Sequence, residues 1–159
     1  MKNDDAIRNH VLYLLRGGGA HVSFDEVIAD FPAELRGKVF KDIPYTGWDL
    51  LEHMRIAQWD ILEFSINPKH KSPNFPDGYW PQDKAPPSEA DWDNSINSFK
   101  SDLTAMQKLV EDKNNDLFTP FPHGDGQTLL REALLIADHN AYHFGQLVVL
   151  RRLLGCWYR

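Results

Sequence analysis

The apolar positions of residues 127–154 predict one long helix near the end of the chain. Four positions spaced seven residues apart give this helix a narrow polar seam, which consists of Arg131, Asp138, Gly145 and Arg152. Apolar side chains cover most of the remaining circumference, so we expect the helix to be packed on several sides. Two histidines interrupt the apolar surface: His143 lies nearly opposite the seam, and His139 lies one turn earlier.

Two further segments carry apolar residues at helical spacing. Residues 46–66 begin with the capping pair Thr46 and Asp49, and residues 88–112 begin in the same way with Ser88 and Asp91. One face of the first segment carries Leu50, His53, Ala57, Ile61 and Phe64. The chain is therefore predicted to contain three long helices.

The remaining segments predict shorter elements and a long loop. Residues 4–16 have helical spacing, and the three glycines at 17–19 are expected to reverse the chain. Ser23 and Glu26 predict a capping box for a short helix over 23–31. Residues 67–87 hold six of the ten prolines, together with Phe75, Tyr79 and Trp80. We expect these aromatic side chains to fold over an apolar surface.

These elements define the expected fold class. No segment shows useful strand alternation, and no internal repeat is evident. Three long helices, one N-terminal helix and long connections predict an all-α protein, a four-helix bundle with long inter-helix loops. Residues 1–159 are expected to form a single domain.

The amino-acid composition and net charge argue against some classes of binding partner. The chain has 159 residues, of which 42% are hydrophobic and 25% charged, values that are typical of a soluble globular protein. The formal net charge of −6 argues against nucleic-acid binding. There is no signal-peptide pattern and no uncharged apolar run long enough for a membrane span. We therefore expect a cytoplasmic protein without nucleic-acid or membrane partners.

The histidines carry the candidate chemistry. His139 and His143 are four residues apart, which places two imidazoles on one helix face within reach of a single metal ion. The spacing alone also fits two core histidines that are hydrogen-bonded to backbone or carboxylate oxygens. His53 adds a third imidazole on the helix face that should meet the last helix. Three imidazoles from two packed helices suit a divalent transition metal with open positions for water or substrate.

Two stretches resemble the DinB-like (DinB/YfiT-like) superfamily of metalloenzymes: WDLLEHMRIAQWDILEF and, much later, ADHNAYHFGQLVVLRRLLG. The resemblance covers nearly the whole chain and implies a four-helix bundle that is commonly dimeric. It implies metal ligands at His53, within LEH, and at His139 and His143, within an HxxxHxGQ stretch that Gly145 and Gln146 complete. The metal implied is a divalent transition ion, with nickel and zinc favoured.

The resemblance also suggests a reaction class. The superfamily includes thiol-dependent transferases and isomerases that use bacillithiol or mycothiol. We therefore expect a metal-dependent enzyme in which the ion lowers the pKa of a thiol or a water. Such an enzyme would be an S-transferase acting on a small molecule with a low-molecular-weight thiol, or a hydrolase. One alternative is a non-catalytic metal-binding or dimeric stress-response protein of the same fold; another is a plain helical scaffold with core histidines.

Other side chains could assist the three histidines. Glu132 lies two turns before His139, and Asp60 two turns after His53, so either carboxylate could accept an imidazole N–H or act as a general base. The alternative is a carboxylate that reaches solvent or an arginine. Gln146 lies next to the ligand face and could donate to a substrate. Several other residues are more simply explained as packing or loop residues than as part of a site. They are Tyr142, His21, His123, Trp48, Trp59, Trp92 and Cys156.

Overall fold

The computed structural model describes residues 2–17 and 19–157, and within them the chain is all-helical. Its five α-helices are α1 (Lys2–Leu15), α2 (Phe24–Ile28), α3 (Gly47–Ile66), α4 (Glu89–Glu111) and α5 (Leu129–Leu153). No β-strand occurs in this part of the chain, although an isolated antiparallel bridge joins Pro120 and Thr128. The predicted all-α class is confirmed. None of the described helices is both long and apolar enough to cross a membrane.

The four longer helices bury the core between them. Helix α3 packs against α4 and α5, and α1 packs against the same two helices. One group of buried side chains includes Phe24, Trp48, Leu50, Trp92, Phe99 and Phe144. A second includes Val11, Leu15, Leu62, Met106, Val110 and Ile136. The contact between α3 and α5 positions the candidate site, because the candidate histidines lie on these two helices.

Local capping explains where the helices begin. The hydroxyl of Thr46 accepts the N–H of Asp49, and the Asp49 carboxylate accepts the N–H of Thr46 in return. Ser23 and Glu26 form the second predicted capping box. The hydroxyl of Ser88 accepts the N–H of Asp91. A cap of this kind stabilises a helix by about 1 kcal/mol, so these starts are encoded locally and were predictable.

Helix α2 is shorter than predicted, because it ends at Ile28 and not at residue 31. Pro32 has no N–H with which to bond the carbonyl oxygen of Ile28, so the helix cannot continue through it. The buried guanidinium of Arg151 donates to the carbonyl oxygens of Val27, at 2.7 Å, and Asp30, at 3.3 Å. Asp30 has a φ of 52°, which turns the chain at this point.

The polar seam predicted for α5 is exposed as expected, but the exposed side of the helix is wider than the seam. All four residues of the seam are exposed, and the opposite side of the helix packs against α1, α2, α3 and α4. Apolar side chains that flank the seam are also exposed, although we expected them to be packed. They are Leu134, Tyr142, Val149 and Leu153. These four residues lie beside the seam on the helix surface, so they also face away from the core.

The structure contains the predicted glycine turn and the predicted loop over 67–87. Gly17 and Gly19 adopt left-handed φ values of 72° and 78°, as a sharp reversal requires. Gly18 lies outside the described residues. In the loop over 67–87, Tyr79 and Trp80 lie against α3. The expectation that Phe75 packs against an apolar surface is wrong, because its side chain is 84% exposed.

Candidate metal centre

The three predicted histidines come together between α3 and α5. His53 projects from α3, and His139 and His143 project from successive turns of α5. One candidate ligand nitrogen from each imidazole lies within 4.8 Å of the other two. The ring centroids are 4.4 to 5.0 Å apart. The structure thus assembles a three-histidine cluster that could bind a metal ion.

The spacing within the cluster suits a shared ion. Nε2 of His53 lies 3.2 Å from Nε2 of His139. Two imidazole nitrogens that each bind one zinc ion at about 2.0–2.1 Å are separated by roughly 2.8–3.4 Å when the angle at the ion is between 90° and the tetrahedral angle. The observed distance falls within this interval.

Hydrogen bonds orient two of the imidazoles. Nδ1 of His53 lies 2.9 Å from the backbone oxygen of Tyr79, which can only accept, so this nitrogen carries the proton. Nδ1 of His143 similarly donates to the amide oxygen of Gln146, at 2.6 Å. In each neutral ring the lone pair is then on Nε2. Gln146, for which the sequence suggested a substrate contact, hydrogen-bonds a candidate ligand through its amide oxygen.

Burial keeps the histidines neutral. Removal from water lowers the pKa of His53. The pKa of His139 falls to about 4, because of burial first and then because of the neighbouring charges that protonated His143 and His53 would carry. The pKa of His143 also falls to about 4 through burial, against the opposing effect of its bond to Gln146. Neutral imidazole is the form that binds metals.

The loop over 67–87 covers one side of the cluster. The ring of Trp80 stacks on the imidazole of His53, with centroids 4.0 Å apart and an interplanar angle of 5°. On α5, the ring of Tyr142 meets His143 edge-on at 4.9 Å, and its side chain is 64% exposed. Sequence reasoning did not assign Trp80 to the site. Its only signal was the density of aromatic and proline residues in the loop.

Asp60 is near the cluster but does not contact it directly. One carboxylate oxygen lies 2.7 Å from Nε2 of His70, and the other accepts the hydroxyl of Tyr79 at 2.6 Å. The sequence suggested that this carboxylate would accept an imidazole N–H. It does so from His70, in the loop, and it reaches His53 only through Tyr79. The part played by His70 was not predicted.

Glu132 is buried and paired with an arginine. Its side chain is 4% exposed, and it accepts a hydrogen bond from Nη1 of Arg131 at 2.5 Å. Glu132 and Asp60 both line a cavity of about 220 Å³, two helical turns from the histidines on each helix. The cavity is also lined by Ile61, Phe64, Ser72, Gln127, Arg131 and Leu135.

The remaining candidates lie elsewhere. His21 contacts the ring of Phe144 edge-on, and it lines a different cavity from that beside Glu132. His123 bonds the backbone oxygen of Phe64 at 2.8 Å. Trp48, Trp92 and Cys156 are buried, whereas Trp59 is 36% exposed and packs against His70.

Comparison of the chain with family models, curated proteins and solved structures finds no match in any of the three. The function of the chain therefore has to be inferred from the geometry of the histidine cluster and its surroundings.

Proposed function

We propose that this protein is a metal-dependent enzyme of the DinB-like superfamily, folded as a four-helix bundle. In this proposal His53, His139 and His143 hold one divalent transition ion. The observation that carries the proposal is the convergence of three neutral imidazoles, with ligand nitrogens within 4.8 Å of one another. Three protein ligands are typical of a catalytic site with a free coordination position.

The hydrogen bonds favour this function over a purely structural role for the histidines. A core histidine needs partners for both of its ring nitrogens. Nδ1 of His53 and Nδ1 of His143 have oxygen acceptors outside the cluster, so both rings direct Nε2 inward. Metal-binding histidines commonly have this arrangement, because the outer bond fixes the tautomer and the ring orientation. Without an ion, Nε2 of His53 and Nε2 of His143 both present lone pairs, and within the cluster only His139 could donate a proton to them.

The donor set constrains the ion. Imidazole suits zinc, copper, iron and nickel, whereas calcium and magnesium prefer oxygen ligands. The cluster contributes neither a thiolate nor a carboxylate among the described residues. Nickel and zinc are the ions we propose, in line with the resemblance to the DinB-like superfamily.

In this proposal the surrounding residues support the chemistry of the bound ion. A divalent ion bound there supplies a lowered pKa for a thiol or a water. Trp80 shields one face of His53 from solvent, and Gln146 holds His143 in place. In this proposal a small-molecule substrate or a low-molecular-weight thiol binds at the ion. The part of that molecule remote from the ion occupies the cavity beside Glu132, which none of the three histidines lines, and Glu132 contacts it there.

We favour S-transfer over hydrolysis because of the superfamily resemblance. The test is turnover of a chlorinated aromatic compound with bacillithiol, glutathione or cysteine by nickel- or zinc-loaded protein. The expected result is metal-dependent loss of the thiol that is abolished in His143→Ala and retained in His10→Ala, which changes an exposed histidine on α1. Absence of metal-dependent turnover with every thiol would remove the transferase proposal.

We also propose a homodimer, as the resemblance implies. The exposed apolar side chains beside the seam of α5 support it, because Tyr142 and Val149 are each more than half exposed. Sedimentation equilibrium at micromolar concentration is expected to show a dimer, and a monomer would contradict this proposal.

A further inference from the structure

Tyr79, in the loop over 67–87, connects His53 of the histidine cluster to Asp60, which lies outside the cluster. Tyr79 uses its backbone oxygen to accept the Nδ1 proton of His53, at 2.9 Å, and its side-chain hydroxyl to bond Asp60, at 2.6 Å. The next residue, Trp80, stacks on His53. The position of the carbonyl that sets the tautomer of His53 therefore depends on where the Tyr79 side chain is held.

Asp60 is well placed to hold that side chain. Its carboxylate is buried on α3, two turns after His53, and each oxygen has one partner from the loop. Burial, and after it the bond to Asp60, raises the pKa of Tyr79 to about 12. The hydroxyl therefore keeps its proton and donates it to the carboxylate at any physiological pH.

His70 provides a second hydrogen bond between the loop and Asp60. Its side chain is 7% exposed, its Nε2 lies 2.7 Å from Asp60, and its ring packs edge-on against Trp59 at 5.1 Å. One carboxylate on α3 thus binds the start of the loop at His70 and its middle at Tyr79. Two contacts at separate points restrict the loop far more than one contact does, because each removes a different set of backbone rotations.

The far end of the loop is attached to the same helix. The hydroxyl of Thr46 donates to the backbone oxygen of Lys84, at 2.8 Å, and the Lys84 ammonium lies 3.0 Å from Asp49. These contacts are at the start of α3, on the other side of His53 in the chain. The loop is consequently held to α3 both before and after His53, and the Tyr79 carbonyl lies between the two attachments.

We infer that Asp60 is a positioning residue for His53. By binding Tyr79 and His70 it holds the Tyr79 carbonyl against Nδ1 of His53, so that this ring keeps its proton on Nδ1 and directs Nε2 toward His139. The inference rests on the proposed function only in treating Nε2 as a metal ligand. The effect of Asp60 on the tautomer is a property of the metal-free protein and stands independently.

The experiment measures tautomer and metal affinity separately. Long-range proton–nitrogen correlation spectra of metal-free protein labelled at histidine nitrogens, taken at mildly alkaline pH, show which nitrogen of His53 is protonated. The variants are Tyr79→Phe, Asp60→Ala and Asp60→Asn. Tyr13→Phe is the matched control, because Tyr13 lies exposed on α1. Cobalt(II) titration followed by its visible spectrum gives the affinity and the coordination geometry of the same proteins.

The wild type and Tyr13→Phe are expected to show a single His53 tautomer with the proton on Nδ1. Tyr79→Phe and Asp60→Ala are expected to populate both tautomers and to bind cobalt about 10–100-fold more weakly, the usual effect of removing the partner of a metal ligand. Asp60→Asn retains an acceptor for the Tyr79 hydroxyl, so it should recover part of the wild-type behaviour.

An unchanged His53 tautomer in Tyr79→Phe, with thermal unfolding that shows the variant is folded, would overturn the inference. Tyr79→Phe removes only a hydroxyl, so we expect this variant to fold. It therefore tests whether the bond to Asp60 sets the His53 tautomer even if Asp60→Ala does not fold. Absence of cobalt binding by the wild type would contradict the proposed function instead. In that case the tautomer spectra still determine whether Asp60 positions His53.

Discussion

Nε2 of His53 and Nε2 of His139 lie 3.2 Å apart, although 86 residues separate them in the chain. This contact joins α3 to α5 through polar atoms, as does the buried hydrogen bond from the amide of Asn140 to Gln58. A hydrogen bond between the two rings requires a proton on one of these nitrogens, whereas a shared ion uses both lone pairs. Replacing that hydrogen bond by two metal–nitrogen bonds is the change that the proposed function predicts on metal binding.

Gln146→Leu should weaken metal binding without removing a ligand. The substitution deletes the acceptor of the Nδ1 proton of His143 and leaves a side chain of similar size. Loss of such a partner costs about 10–100-fold in affinity. Isothermal titration with zinc measures the effect, and Gln107→Leu on α4 is the matched control. Equal affinities for the two variants would contradict the role given to Gln146.

The metal-free protein should lose stability as the pH falls from about 6.5 to about 4. The pKa of His139 and that of His143 are each about 4 in the folded chain and 6.5 in the unfolded chain. Between these values the unfolded state binds protons that the folded state does not, so acid favours unfolding. The slope is at most about 1.4 kcal/mol per pH unit for each imidazole.

Urea unfolding across this pH range measures the slope. The double variant His139→Gln, His143→Gln should show a shallower dependence, because neither replacement titrates. A double variant with the same slope as the wild type would show that other groups cause the acid sensitivity.

Trp80 should report metal binding by fluorescence. Its ring stacks on a candidate ligand at 4.0 Å, so a paramagnetic ion such as nickel or cobalt in the cluster should quench its emission. Trp80→Phe is expected to lose most of the quenching, and Trp59→Phe, at a partly exposed position, is expected to retain it. Quenching that survives in Trp80→Phe and disappears in Trp59→Phe would place the ion elsewhere.

Arg151→Met should destabilise the fold and leave the site intact. The Arg151 guanidinium is buried and donates to the backbone oxygens of Val27, Asp30 and Cys156. Leaving buried acceptors without a partner costs about 1–3 kcal/mol. Urea denaturation should show a loss in this range, whereas Arg152→Met, on the exposed seam, should change stability by less than about 0.5 kcal/mol. A similar loss in both variants would contradict the role given to Arg151.

The parts of the fold that depend on local sequence were predictable. Capping pairs and apolar spacing located α3, α4 and α5 to within a few residues, because the caps and periodicity act over one or two turns. The three candidate ligands were predictable as well. His139 and His143 share a face by their spacing, and His53 lies on the apolar face that had to meet them.

Features that depend on long-range contacts were not predictable. The carbonyl oxygens of Val27 and Asp30, at the end of α2 and just after it, are bound by Arg151, more than a hundred residues away. The contacts of Asp60 with His70 and Tyr79 require a particular path of the loop over 67–87, and no periodicity encodes that path. The sequence therefore identified the candidate ligands and suggested Asp60 as an imidazole partner, but it did not assign His70 or Tyr79 to the site.

Metal content of tag-free protein, measured by plasma mass spectrometry with His143→Ala and His10→Ala alongside, tests the proposed metal site most directly. We expect about one divalent transition ion per chain in the wild type and in His10→Ala, and its loss from folded His143→Ala. A wild type that carries no metal and takes up neither nickel, zinc, cobalt, iron nor manganese would contradict the proposal. The three histidines would then be core residues that are hydrogen-bonded to one another.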